Sequence, residues 1–289
     1  MVLTSLIYQY GSHIENNRVP IAENKVFSYR FKSNSLTVYD ENVNWNNFWE
    51  KSIENAEHIP DGCVLVADIS DYYNQIYHHT LENELLEAKV PNEIVKLIIA
   101  LLMKLTNGVS RGIPVGPHAS HLLAEISVNP IDRSLKSHSY YHCRFVDDIH
   151  IFCENEEKAT IALFDLVEIL DKHGRLTLQK HKTFIMPSKD FIQYAQRKAE
   201  DVIVGGLENR ILNVIKKYSS GNRYQTINYN SLTLPEKELF NSSNLTKLFE
   251  DYLEINDVDF ARIRWLLQYF TKNLHSSFSH HSFTLGLVT

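Results

Sequence analysis

The sequence predicts an α+β fold, an antiparallel sheet with helices packed on one face. Three observations lead there. Cys63–Ala67 is an unbroken apolar run opened by Asp61-Gly62, the pattern of a buried strand. His142–Cys153 alternates around a central acid pair, as a hairpin does. The segments between and after these carry apolar residues at helical spacing, so the order is strand, helices, hairpin, helix.

Each element has its own signal. Pro91–Leu105 presents Ile94, Val95, Ile98, Leu101, Leu102 and Leu105 as one helical stripe. Ala119–Leu135 reads as a second helix, with Leu122, Leu123 and Ile126 facing inward. Glu156–His173 reads as an amphipathic helix stopped by Gly174 at its C′ position. Residues 1–60 read as irregular, with Asn-rich polar stretches between short apolar pieces such as Val26–Phe31. Residues 189–289 read as mostly helical. Asp259–Leu274 is the clearest case there, with Phe260, Ile263, Leu266, Leu267 and Phe270 on one stripe. Pro235 in Leu234–Lys237 suits the first turn of a helix or a linker, and 275–289 has no clear period.

Bulk properties narrow the function classes. The chain has 289 residues, ample for a sizeable core, and is 44% apolar and 22% charged, as soluble globular proteins are. No apolar run reaches the roughly 18 residues of a membrane span, and the N-terminus lacks the pattern of a signal peptide, so a cytoplasmic location and no membrane partner are expected. Cys63, Cys143 and Cys153 have no CxxC spacing and read as buried free thiols. The pairs His78-His79 and His280-His281 lack ligand spacing to a matching site and read as non-metal. The net charge of −6 argues mildly against nucleic-acid binding, yet a basic cleft can sit in an acidic shell, so distribution outweighs the total.

Three segments carry chemistry. Asp68 stands where the buried strand emerges, Asp147-Asp148 sits at the hairpin tip, and Arg111–Pro117 is a stiff Gly/Pro loop leading into a helix. Each alone has an ordinary explanation: an N-cap, a turn, a loop. Together they form the set that a nucleotidyl transferase needs. Two Mg²⁺ ions about 3.5–4 Å apart must be clamped by carboxylates, one serving the attacking hydroxyl and the other the triphosphate. Mg²⁺ takes hard oxygen ligands and borrows several from substrate, so two or three carboxylates on rigid strand ends suffice.

Over roughly residues 61–188 the chain resembles the reverse transcriptase superfamily. Asp68-Ile69-Ser70-Asp71-Tyr72-Tyr73 looks like its motif A, and Arg111–Ser120 followed by Leu122-Leu123-Ala124-Glu125 looks like motif B. Phe145-Val146-Asp147-Asp148 looks like motif C and Leu176–Thr183 like motif D. Val26–Arg30, the form of motif B and the helical tail look most like the bacterial abortive-infection (Abi) and defence-associated branch.

The resemblance implies a right-hand polymerase: partial fingers in 1–60, a palm in 61–188 and a helical thumb in 189–289. It implies that Asp68, Asp147 and Asp148 are catalytic and hold two Mg²⁺ (or Mn²⁺), with the Ile69 carbonyl as a further ligand. Nucleotide-binding roles fall on Arg30, Ser70, Asp71, Tyr72, Tyr73, Arg111, Gly112 and Lys182. Tyr73 would be the aromatic gate against C2′ of the sugar, favouring dNTPs, and Lys182 would sit near the phosphates. Expected partners are dNTPs, an RNA template or associated non-coding RNA, the DNA product, and a partner protein or second copy of the chain.

Two departures keep alternatives open. Arg111 stands where retroviral-type enzymes have Gln, placing a cationic fork near template and nucleotide. The stretch ahead of Asp68 is short, with Arg18, Lys25 and Arg30 as its candidates to close on the triphosphate. The leading expectation is RNA-templated DNA synthesis in antiphage defence. Template-independent or protein-primed synthesis, and a non-catalytic RNA-binding subunit of a defence complex, are the alternatives.

Overall fold

The computed structural model describes residues 2–32, 38–40, 42–115, 118–199, 206–218 and 231–253. The chain divides into two compact units, Met1–Ala199 and Glu200–Thr289. The first begins with helices α1 (Val2–Asn17) and α2 (Trp45–Glu57), then strand β1 (Cys63–Asp68). Helices α3 (Tyr72–Gln75), α4 (His78–Glu87), α5 (Asn92–Leu105), α6 (His118–Ser127) and α7 (Asn129–Ser137) follow. The hairpin β2 (Tyr141–Phe145) and β3 (Asp148–Cys153) leads to α8 (Glu156–Gly174), β4 (Phe184–Pro187) and α9 (Ser188–Ala199). The strands form one antiparallel sheet in the order β2-β3-β1-β4.

Helices cover both faces of this sheet, which corrects the one-sided expectation. Leu65 and Ala67 join Ile149, Ile151 and Cys153 in a core shared with Ile7 and Ile14 of α1 and the buried residues of α4 to α8. Val64 and Val66 point the other way, to Phe48 and Trp49 of α2 and Phe191 and Ala195 of α9. The physical reason lies in β1 itself. Its run is apolar at every position rather than alternating, as a strand buried on both faces must be.

Residues 1–60 are likewise not all irregular, since α1 and α2 lie there. The Asn-rich stretch that reads as loop supplies the start of α2. Asn44 accepts from the backbone of Asn46 and Asn47 and forms a capping box with Asn47. The single helix expected over Ala119–Leu135 is two, broken at Val128, because Pro130 is accommodated only in the first turn of a new helix. The end of α8 also differs. Gly174 is still helical, and Arg175 takes the left-handed position at φ 52°. Its strain is offset locally: Arg175 N and Leu176 N close onto the carbonyls of Asp171 and Leu170, and the Arg175 guanidinium lies 3.0 Å from the Asp171 carboxylate.

The second unit contains α10 (Gly206–Tyr218), α11 (Leu234–Leu239) and α12 (Ser242–Leu253). Ile211, Ile215, Phe240, Leu248 and Tyr252 form its core. Thr233 caps α11 with Glu236, and Pro235 sits in the first turn, the helical one of its two expected settings. The expected helix Asp259–Leu274 and the tail 275–289 lie outside the described residues.

Candidate active site

Strand register brings the acids together. Asp68, the last residue of β1, pairs with Asp148, the first of β3. Asp147 lies beside them in the two-residue turn Val146-Asp147, and its carbonyl accepts from Ile69 N at 3.0 Å. Asp68 is 6% exposed. The Asp147 carboxyl is held above its ordinary pKa, first by burial and then by the charge of Asp68. Val146 sits at φ 56°, a conformation that costs a β-branched residue on the order of 1–3 kcal/mol.

The motif D segment adds a cation. Ile69 bridges Leu178, Ser70 N donates to Thr177 O at 2.8 Å, and Gln179 N donates to Asp68 O at 2.7 Å. Ser70 Oγ also donates to Gln179 Oε1. These bonds aim the 3-10 turn Lys180–Lys182 so that Lys182 Nζ lies 2.8 Å from Asp68 Oδ2. Its pKa is raised, chiefly by that hydrogen bond, with Asp148 and Asp147 contributing.

The segment after Asp68 and the Gly/Pro loop interlock. Asp71, at φ 48°, accepts from Asn74 Nδ2 and starts α3. Tyr72 is a core residue whose hydroxyl donates to Ala124 O at 3.1 Å, so only its backbone remains for a ligand. Tyr73 is half-buried, and its hydroxyl is hydrogen-bonded to His121 Nδ1 at 2.6 Å. Burial, reinforced by His118, lowers the His121 pKa to about 4, so its ring is neutral near pH 7. His121 in turn stacks on Tyr29, with centroids 4.1 Å apart. Gly112 N donates to Ile76 O, Ile113 N to Tyr73 O, and His78 Nε2 to Gly112 O. Gly112 stands at φ 98°, open to glycine and strained for any other residue. Arg111 is exposed, its guanidinium 5.5 Å from the Tyr77 ring. Gly116 and Pro117 lie outside the described residues.

Arg30 needs correcting. It is 1% exposed, ion-paired with Glu15 and donating to Val19 O at 2.8 Å, so it is a structural cation rather than a nucleotide ligand. Burial lowers its pKa to about 10. Arg18 is spent similarly on Glu125, Ser28 O and Tyr29 O, and Lys25 donates to Tyr140 O. Arg18 and Arg30 are thus drawn inward by Glu125 and Glu15, partners distant in sequence.

Residues missed from sequence form a buried network behind the acids. Arg144, fully buried, grips Asp132 through Nε and Nη2 at 2.7 Å and Glu125 through Nη2 at 2.8 Å. Its Nη1 donates to Val146 O at 2.8 Å. The one available signal was an arginine inside an otherwise apolar strand, two residues before the turn.

Among the described residues, no group of three or more Asp, Glu, His or Cys side chains forms a ready-made metal cage. Mg²⁺ does not require one, since it binds through one or two carboxylates plus substrate phosphates. The donors here are hard carboxylate oxygens, and the Lys182 ammonium on Asp68 marks where positive charge is stabilised. The residues therefore fit a divalent cation completed by substrate.

Two telomerases are among the solved structures similar to this chain. Apo telomerase from Candida tropicalis matches with a TM-score of 0.51 and 11% identity, over 92% of this chain and 53% of that one. Telomerase from Candida albicans in complex with a fragment of telomeric RNA matches with a TM-score of 0.42 and 12% identity, over 95% of this chain and 44% of that one. The chain thus spans about half the length of these structures. No curated protein matches it. Residues 12–204, more than half of the sequence and including every element from β1 to β4, match the reverse transcriptase (RNA-dependent DNA polymerase) family, and the chain belongs to that family.

Proposed function

We propose that the chain is a nucleotidyl transferase that adds dNTPs to a 3′ end or primer hydroxyl, copying RNA into DNA in antiphage defence. The observation that carries the chemistry is the pairing of Asp68 with Asp148 across β1 and β3, with Asp147 in the adjoining turn. The defence role rests on the likeness of Val26–Arg30 and of the Gly/Pro loop to the abortive-infection branch.

Asp68 and Asp147 would hold two Mg²⁺, with Asp148 in support and the Ile69 carbonyl as a further oxygen. When bound, these ions acidify the attacking hydroxyl and neutralise the triphosphate. The hydroxyl oxygen bonds to the α-phosphorus, the bond to the β-phosphate bridging oxygen breaks, and pyrophosphate leaves. Lys182 Nζ, moving off Asp68 Oδ2, offers its charge and a proton to that leaving group. The backbone of Ser70, Asp71 and Tyr72 lines the triphosphate. The Tyr73 ring, fixed through its hydroxyl by His121, meets the sugar at C2′. Gly112 lets the loop approach the nucleotide, and exposed Arg111 meets phosphate or base.

Arg111 also favours a second reading, template-independent or protein-primed synthesis, because a stacked cation can hold a base without a complementary strand. One experiment serves both. The purified chain with co-purifying RNA, dNTPs and Mg²⁺ is expected to yield DNA, and Asp147→Ala is expected to lower the yield by a factor of about 10²–10³. Undiminished synthesis in Asp147→Ala would sink the assignment of the acids. Product indifferent to the RNA, or covalently held after denaturation, would select the second reading. No incorporation by the wild type would leave an RNA-binding subunit of a defence complex.

A further inference from the structure

The N-terminal segment is fastened to the turn that carries Asp147. Lys25–Phe27 lies along the outer edge of β2: Arg144 N donates to Lys25 O at 2.7 Å, and Phe27 N donates to Arg144 O at 3.0 Å. The next residue, Ser28, is fully buried beneath the turn. Val146 N donates to Ser28 Oγ at 3.0 Å, and Ser28 Oγ donates to Glu125 Oε1 at 2.7 Å.

The directions of these bonds matter. A serine hydroxyl has one proton. Here Glu125, ion-paired with Arg18 at 2.7 Å and Arg144 at 2.8 Å, accepts the hydrogen bond that this proton makes. The Ser28 lone pairs are left facing Val146 N–H. On the other side of the same residue, Arg144 Nη1 donates to Val146 O. Both backbone polar groups of Val146 are therefore tied to one buried network. Val146 is also the residue held at φ 56°, where a β-branched side chain is unfavourable. Released from the network, it would relax toward negative φ, turning the peptide that leads into Asp147.

We propose that Ser28, acting with the buried Glu125–Arg144 pair, is a positioning residue that clamps Val146 in its left-handed conformation and so sets Asp147 for a divalent cation. This rests on the reading that Asp68 and Asp147 bind such cations. It gives the N-terminal segment a part in the catalytic centre through Ser28 that Arg18 and Arg30, turned inward, do not play.

The test is Mn²⁺ binding to the full chain, read from the free-ion electron paramagnetic resonance signal, with folding followed by circular dichroism. Wild type is expected to bind, and Asp147→Ala to lose binding. Ser28→Ala is expected to keep the fold yet bind Mn²⁺ about tenfold or more weakly, as losses behind a metal ligand do. Val146→Gly supplies a residue that takes positive φ freely, so the Ser28→Ala loss should shrink markedly in that background. Should Ser28→Ala not fold, Ser28→Cys takes its place, filling the site with a somewhat larger group that is a weaker acceptor, and a loss relieved by Val146→Gly is expected again. Wild-type affinity in the Ser28 variant, or an equal loss with and without Val146→Gly, overturns the clamp alone. Wild-type binding indifferent to Asp147→Ala overturns the clamp together with the reading beneath it.

Discussion

His142 shows what a single buried residue does to the pH dependence of this fold. Its Nδ1 donates to Tyr140 O at 3.1 Å, and burial lowers its pKa to about 4 from 6.5. The unfolded chain therefore takes up a proton below pH 6.5 that the folded chain refuses until near pH 4. Stability from this residue is fully present above pH 6.5 and is lost progressively as pH falls toward 4, amounting to about 2 kcal/mol at pH 5. His142→Asn keeps a donor near the Nδ1 position and does not titrate. Its urea stability is expected to fall less between pH 7 and pH 5 than the wild type's, by about that amount; identical profiles would show that His142 is not the group refusing the proton. The same scale explains which site residues were legible. Asp68 and Asp147 announce themselves because a strand end and a hairpin tip are local patterns. Ser28, Glu125 and Arg144 do not, because their meaning lies in contacts between residues far apart in sequence. Arg30 is illegible for the same reason: its partner Glu15 lies on α1, in a stretch whose composition reads as irregular.

At the scale of elements, the motif B loop is the least ordinary piece. It is no strand, yet three backbone hydrogen bonds sew it to the segment following β1: Gly112 N to Ile76 O, Ile113 N to Tyr73 O, and His78 N to Ser110 O. Those bonds fix Tyr73 relative to the acids, and they depend on Gly112 at φ 98°. Space is not the obstacle to a larger residue, since an added Cβ would meet nothing closer than 3.6 Å. The backbone conformation is. Gly112→Ala is expected to destabilise the unit by about 1–3 kcal/mol and to raise the KM for dNTP more than it lowers kcat. A urea midpoint and dNTP kinetics matching the wild type's would show that the loop tolerates another geometry. The Gly/Pro composition made the loop visible in sequence, but which carbonyls it would bind was not, because turn residues specify dihedral angles and not partners. Helix existence was similarly legible from spacing in α5 and α8. Helix boundaries were decided by details that spacing does not carry, namely Pro130 between α6 and α7 and the left-handed Arg175 after α8.

At the scale of the whole molecule, the order of acid-bearing strand, loop, hairpin and closing lysine made the family legible, while the layering of the sheet was misjudged. An apolar run with no alternation implies two covered faces, and the second cover comes from α2, before β1, and α9, after β4. Among the described residues no helix is long and apolar enough to cross a membrane. Both sheet faces are closed by residues of Met1–Ala199 itself, the last being Phe191 and Ala195. A unit of this size buries roughly 70% of its extended-chain surface, enough for independent stability. The chain ended after Ala199 is therefore expected to fold alone, with one cooperative urea transition and the near-ultraviolet circular dichroism of packed Trp45 and Trp49. Ending it before Ser188 removes α9 and opens the Val64–Val66 face, so that shorter chain is expected to lose cooperativity and bind a hydrophobic dye. Equal behaviour of the two chains would mean that α9 is dispensable cover, and a gradual transition in the longer one would mean that the first unit requires the rest of the chain.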